Sequence, residues 1–158
     1  MKRFPAFDPP EYVAWKADPA LARAFRATVE SSAERGPIVT RLTADAKLGL
    51  YAGLVRARLH DVQLKRWVRT GVISKAWLGT GEEAATVGPC RALDPARDVV
   101  APMIRNAAAC CEMGMPVAQM LRAYLATDDS PSAGRDLHCG DFARGVLQPV
   151  SHVGDMVP

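Results

Sequence analysis

No apolar run in this sequence approaches the ~20 residues that cross a bilayer as a helix, which argues against a membrane partner. The opening MKRFPAFDPPEY also lacks the apolar centre of a signal peptide. Cysteine is sparse. Cys90, Cys110, Cys111 and Cys139 show no CxxC spacing, so neither a zinc knuckle nor a redox pair is indicated. Cys110 and Cys111 are adjacent in an apolar helical run and cannot easily pair with each other. All four fit buried, reduced thiols in a cytoplasmic protein. An excess of charge is lacking too: the formal net charge is +3, too weak to argue for nucleic acid.

What remains is ordinary for a globular chain. Apolar residues make up 49% and charged residues 23% of 158 positions, enough for one domain with a real core. Residues 1–42 are expected to form an arm and a helix ahead of a domain at 43–158. Phe4, Phe7, Tyr12 and Trp15 lie among Pro5, Pro9 and Pro10. That start is either an extended arm docking its aromatics or a partly disordered leader. Residues 19–34 predict a helix with Leu21, Phe25 and Val29 on one side, and Gly36-Pro37 is expected to break it.

The longest periodic segment, Thr43–Thr70, predicts a long helix with Thr43 as its cap, Asp45 in its first turn and Gly71 beyond its end. Leu48, Tyr51, Val55, Leu59 and Val62 form its apolar stripe. Arg56, Arg58, Lys65, Arg66 and Arg69 make it basic, which suits a solvated or subunit-facing side better than a nucleic-acid face. Val72–Leu78 is a short strand or an extended link.

The centre of the chain is Gly81–Arg105. Thr80 and Glu83 have the spacing of a capping box. Ala84, Val87, Cys90 and Ala92-Leu93 give the next helix an apolar side, and Asp94-Pro95 stops it. Val99-Val100-Ala101 is short, apolar and β-branched, which predicts a strand covered on both faces. Pro102 ends its ladder. Arg105 then stands at the carboxyl end of that strand, where α/β sheets collect ligands, beside a helix predicted from Met103 to Glu112. Gly114 ends that helix. Pro116 begins another, expected to run to about Ala126, and Met113, Met115 and Met120 read as core filler. From Thr127 to Pro149 the glycines and short polar residues predict a long ordered loop.

The central run resembles the alpha subunit of the thiamine-diphosphate-dependent decarboxylating component of 2-oxo-acid dehydrogenase complexes. The matching residues are Gly81-Glu82-Glu83-Ala84, Ala92-Leu93-Asp94-Pro95 and Asp98 through Asn106, in the family's order and spacing. Gly134-Arg135-Asp136-Leu137-His138 matches a G-x-x-x-H element, and Val150–Gly154 resembles the segment that cradles the aminopyrimidine ring. The likeness covers about Leu48 to Pro158.

The resemblance implies an α/β fold: the N-terminal half of a three-layer thiamine-diphosphate-binding domain, helix-rich with a short parallel sheet. It implies Arg105 as diphosphate ligand, with a forked set of donors suited to phosphate oxygens. It implies Ser151 and Val153 as aminopyrimidine contacts. The activity implied is oxidative decarboxylation of a 2-oxo acid with acyl transfer to a lipoyl group. The partners implied are a beta-type subunit and a lipoyl-bearing acyltransferase. Three departures stand out. Ile104 replaces a tyrosine, Asn106-Ala107 replaces Asp-His, and the family's magnesium ligands are expected beyond Pro158. The alternative is a truncated, non-catalytic relative serving as a subunit-interaction module.

Overall fold

A computed structural model describes residues 18–138 and 140–147. Cys139, the aromatic arm at 1–17, Ser151 and Val153 lie outside the described residues. The chain forms two compact units, Met1–Gly49 and Leu50–Pro158.

In the first unit, α1 (Pro19–Glu30) packs on α2 (Arg35–Arg41). Asp18 caps α1, its Oδ1 accepting from Ala20 N at 2.8 Å and Leu21 N at 3.3 Å. Gly36-Pro37, expected to break a helix, instead lies inside α2. Proline is tolerated there because a first-turn N–H has no helical acceptor to lose. Glycine is required there by space: a Cβ on Gly36 would stand 2.6 Å from the Glu30 carbonyl oxygen.

The helix α3 (Ala44–Arg69) runs from the first unit into the second, close to its expected bounds, with Thr43 Oγ1 accepting from Ala46 N at 3.1 Å. Its inner face is not its apolar stripe. The buried side chains are His60, Asp61 and Leu64, with Gly53 on the same face. The apolar stripe faces outward: Leu48 is 65%, Tyr51 66% and Leu59 61% exposed. Apolar periodicity therefore located the helix but not its inner face.

In the second unit, α4 (Glu83–Arg91) packs on α5 (Ala107–Glu112), and α6 (Val117–Tyr124) follows. The core gathers Ala107, Cys110, Met113, Met115, Met120 and Val146, with Leu93, Val100 and Cys111 against it. The three methionines fill this core as their setting suggested. Gly114, at φ +96°, ends the α5 turn in the left-handed region open to glycine.

The described residues are helix-rich and contain no strand beyond isolated bridges. Val100 pairs in parallel with Val146, through Val100 N to Gly145 O at 2.8 Å and Leu147 N to Val100 O at 2.9 Å. The expected strand at Val99–Ala101 is thus a single bridge, and Val99 is exposed rather than covered. The next rung of a parallel ladder would use the N–H of residue 102, which is Pro102 and has none. Residues 72–78 also carry no strand. Val72 N and Ile73 N bond back to Trp67 O, closing the end of α3 around Gly71 at φ +74°.

Candidate functional site

Gly79 is where the site begins. A Cβ there would meet the Arg105 carbonyl oxygen at 2.5 Å, so only glycine lets the segment before α4 lie against the turn carrying Arg105. The expected capping box does not form, because α4 begins only at Glu83 with Glu82 at its cap position. Glu83 Oε2 accepts from Gly81 N at 2.9 Å, but the Thr80 hydroxyl donates instead to Asp61 Oδ2 at 2.9 Å.

Close approach of the two segments brings Glu82, just before α4, and Thr86 of α4 together with Arg105 and Asn106. Glu82 Oε2 accepts from Arg105 Nε at 3.1 Å and from Asn106 Nδ2 at 3.2 Å. Asn106 Nδ2 also reaches Thr86 Oγ1 at 3.3 Å, and Thr86 Oγ1 donates to the Glu82 carbonyl at 3.1 Å. Glu82 and Asn106 also border a shallow groove of about 450 Å³, walled by Pro89, Leu93, Val100 and Pro102. Arg105 lines a much smaller recess with Asp61, Gly79 and Glu83, of about 10 Å³. That is no more than a single water requires, so the floor beneath Arg105 is closed.

Two expectations about Arg105 need correction. The adjoining helix begins at Ala107, not near Met103, because Met103–Asn106 turns through an Asn106 N to Met103 O bond of 2.9 Å. With six residues, α5 is too short to offer a useful N-terminal dipole. Ile104 is buried, so its side chain belongs to the interior and not to the groove.

A line of charged groups missed by the sequence reading lies on the inner side of α3. Glu112, with a side chain 2% exposed, binds Arg56 Nη1 at 2.8 Å and Arg91 Nε at 3.0 Å. Arg58 Nε binds Glu83 Oε1 at 2.6 Å. Asp61 lies 3.2 Å from His60 Nδ1, and both are buried. Buried His60 Nε2 has no hydrogen-bond partner among the described residues, and its ring meets Tyr124 edge-on at 6.4 Å. The available signal was Glu112 itself, a lone charge closing the apolar run Ala107–Cys111.

Burial pushes the Cys111 thiol up to about 11, with the Glu112 charge adding to it and Arg56 opposing. Burial likewise raises Cys90, again helped by Glu112. These thiols remain protonated near neutrality and are not nucleophiles.

The loop from Thr127 is built by short polar turns. Ser130 Oγ accepts from Gly134 N at 3.0 Å, and Ser132 Oγ accepts from Asp136 N at 3.1 Å. Asp136 Oδ1 receives the His138 backbone N–H at 2.9 Å and lies 3.0 Å from its ring Nδ1. The backbone bond is the first cause of a lowered Asp136 pKa. Gly134–Leu137 also line a second open depression of about 340 Å³ with Lys75, Trp77 and Tyr124.

The described residues fit a diphosphate only in part. Arg105 offers a half-exposed guanidinium, but Glu82 accompanies it, and an incoming anion would have to displace that carboxylate. Among the described residues no group of three or more His, Cys, Asp or Glu side chains is placed to hold a metal ion. No helix is long and apolar enough to cross a membrane among them either. The chain matches no known protein-family profile.

Proposed function

We propose that the chain is an alpha-subunit portion of a thiamine-diphosphate-dependent 2-oxo-acid dehydrogenase, acting with a beta-type subunit and a lipoyl-bearing acyltransferase on a 2-oxo acid. One observation carries the reading. The segments that hold the resemblance, Gly81–Ala84 and Asp98–Asn106, meet in space and place Arg105, Asn106, Glu82 and Thr86 in one hydrogen-bonded cluster beside a groove. The convergence of these two segments around one guanidinium supports the reading.

In this reading thiamine diphosphate, when bound, supplies the electron sink for loss of carbon dioxide. The chain's own part is to hold and orient it. Arg105 would take the diphosphate in place of the Glu82 carboxylate that it now holds, with Asn106 beside it. Ser151 and Val153 would contact the aminopyrimidine. The finer fold, a three-layer α/β domain with a short parallel sheet, belongs to the same proposal. So does a cytoplasmic location.

The test is titration of thiamine diphosphate into the complex with a beta-type subunit at saturating magnesium. Loss of one charge-assisted bond worth about 1.5–3 kcal/mol predicts that Arg105→Ala weakens binding by about one to two orders of magnitude. Glu82→Gln removes the competing carboxylate and is expected to bind at least as well as the parent. An unchanged dissociation constant for Arg105→Ala would overturn the assignment.

A second reading, a non-catalytic subunit-interaction module, is favoured by the same Glu82–Arg105 pair, which already satisfies the arginine. It predicts a complex that assembles and binds no cofactor in that titration.

A further inference from the structure

The depression beside Trp77 is assembled from three segments: 72–77 after α3, the end of α6, and the turn at 134–137. Two devices hold them together. The Tyr124 hydroxyl accepts from Trp77 N and donates to Trp77 O, each at 3.4 Å, which pins 72–77 to α6. Gly134, at φ +71°, lies so close to the end of α6 that a Cβ would stand 2.6 Å from the Ala126 carbonyl oxygen. Ala126 itself takes a left-handed φ of +52°, a conformation uncommon for a residue with a Cβ. The volume, about 340 Å³, is at the small end of the range for ligand pockets.

The lining divides by chemistry. Ile73, Leu125 and Leu137 give it an apolar wall. Lys75 and Arg135 belong to the same lining as exposed cations, and neither is paired with a carboxylate among the described residues. Lys75 Nζ stands over the Trp77 ring, 5.1 Å from its centre, which restrains the ammonium beside the depression. The one carboxylate of the lining, Asp136, receives the His138 backbone N–H and lies 3.0 Å from its ring Nδ1. Carbonyls at the end of α6 are occupied as well: Leu125 N bonds Leu121 O and Arg122 O, and Ala126 N bonds Ala123 O. The three charged side chains of the lining therefore leave one net positive charge.

We propose that this depression binds a small organic monocarboxylate, its carboxylate taken by Lys75 and Arg135 and its apolar body by Ile73, Leu125 and Leu137. Ammonium and guanidinium groups form the stronger, charge-assisted bonds with a carboxylate. A phosphate dianion is disfavoured, because it would turn the net charge of the lining negative. A neutral ligand is disfavoured, because it leaves both cations without a counter-charge. The depression shares no lining residue with the groove or the recess at the Arg105 cluster, so the proposal stands independently of cofactor binding there.

The probe is phenylacetate, titrated into the full chain and followed by amide chemical shifts. Phenylacetamide has the same body without the charge, and phenyl phosphate carries the dianion. Phenylacetate should give saturable shifts at Lys75, Trp77, Ala126 and Arg135 and none at Glu82, Arg105 or Asn106. Its affinity should fall as salt rises. Phenylacetamide is expected to bind about tenfold more weakly, and phenyl phosphate no more tightly than phenylacetate. Lys75→Gln and Arg135→Gln each remove one charge-assisted bond and should weaken phenylacetate about tenfold. Both positions are exposed, so circular dichroism should show both variants folded. Equal binding of phenylacetate and phenylacetamide, or parent-like binding by both variants, would overturn the proposal. So would an absence of saturation by about 10 mM phenylacetate. Tighter binding of phenyl phosphate would also overturn it, by assigning the lining to phosphate esters. Shifts centred on Arg105 and Asn106 would do the same, by assigning carboxylate binding to the Glu82 cluster.

Discussion

Replacing Glu112 tests whether the charged line beneath α3 holds the second unit together. Its carboxylate is 2% exposed, and its two oxygens divide between Arg56 at 2.8 Å and Arg91 at 3.0 Å. One side chain of α5 thereby ties down α3 and α4. Each charge-assisted bond contributes about 1.5–3 kcal/mol, or roughly 3–6 kcal/mol gross for the two. Two effects reduce that figure. The arginine side chains are 41% and 42% exposed, so water replaces much of what they lose. A neutral amide also relieves the cost of keeping a charge away from water. Glu112→Gln is therefore expected to cost about 2 kcal/mol. The reverse perturbation should cost more. Arg56→Ala combined with Arg91→Ala strands a buried carboxylate, and breaking such a pair from the exposed side costs about 3–5 kcal/mol. Urea unfolding at pH 7, followed by circular dichroism, gives both values from the midpoint and slope. A loss below about 0.5 kcal/mol for Glu112→Gln, or a double arginine variant milder than it, would refute this accounting.

Three further outcomes follow from contacts and titrations elsewhere in the second unit. Gly53→Ala is expected to destabilise by about 1–3 kcal/mol, outweighing about 1 kcal/mol of helix propensity. Its Cβ would lie 2.7 Å from both Glu112 Oε1 and Val87 Cγ1, and urea midpoints check it. Gly79→Ala should push the Arg105 turn away from α4 and loosen the Glu82 pair, seen as faster amide exchange of Arg105 and Asn106. Alkaline pH should destabilise the fold. Burial raises Cys111 from 9.0 to about 11 and Tyr124 from 10.0 to about 12. Raised pKa values give stability that is complete below the unfolded values and is lost as pH climbs through the folded ones. Each group then accounts for up to about 3 kcal/mol between pH 9 and 12. Tyr124→Phe should flatten the upper part of that fall, and stability that holds level from pH 9 to 12 would contradict it.

The sequence by itself determined the places where local physics decides. Thr43, Asp45 and Gly71 bound α3, because capping and left-handed turns act over a few residues. Pro102 stops the pairing at Val100, because a missing N–H is missing in any context. The methionines 113, 115 and 120 sit in the core their apolar settings indicated. The tertiary structure alone decided which way α3 faces. Two faces carried enough small or apolar residues to be buried, and periodicity cannot choose between them. The choice falls to Gly53, whose missing side chain admits Glu112 and Val87, and to charges satisfied by groups distant in sequence: Arg56 and Glu112, Arg58 and Glu83, Asp61 and Thr80. Long-range pairing likewise directs the Thr80 hydroxyl to Asp61 and gives Arg105 a carboxylate partner in Glu82. No local pattern encodes such pairings, because a buried charge is tolerated only where folding delivers its partner.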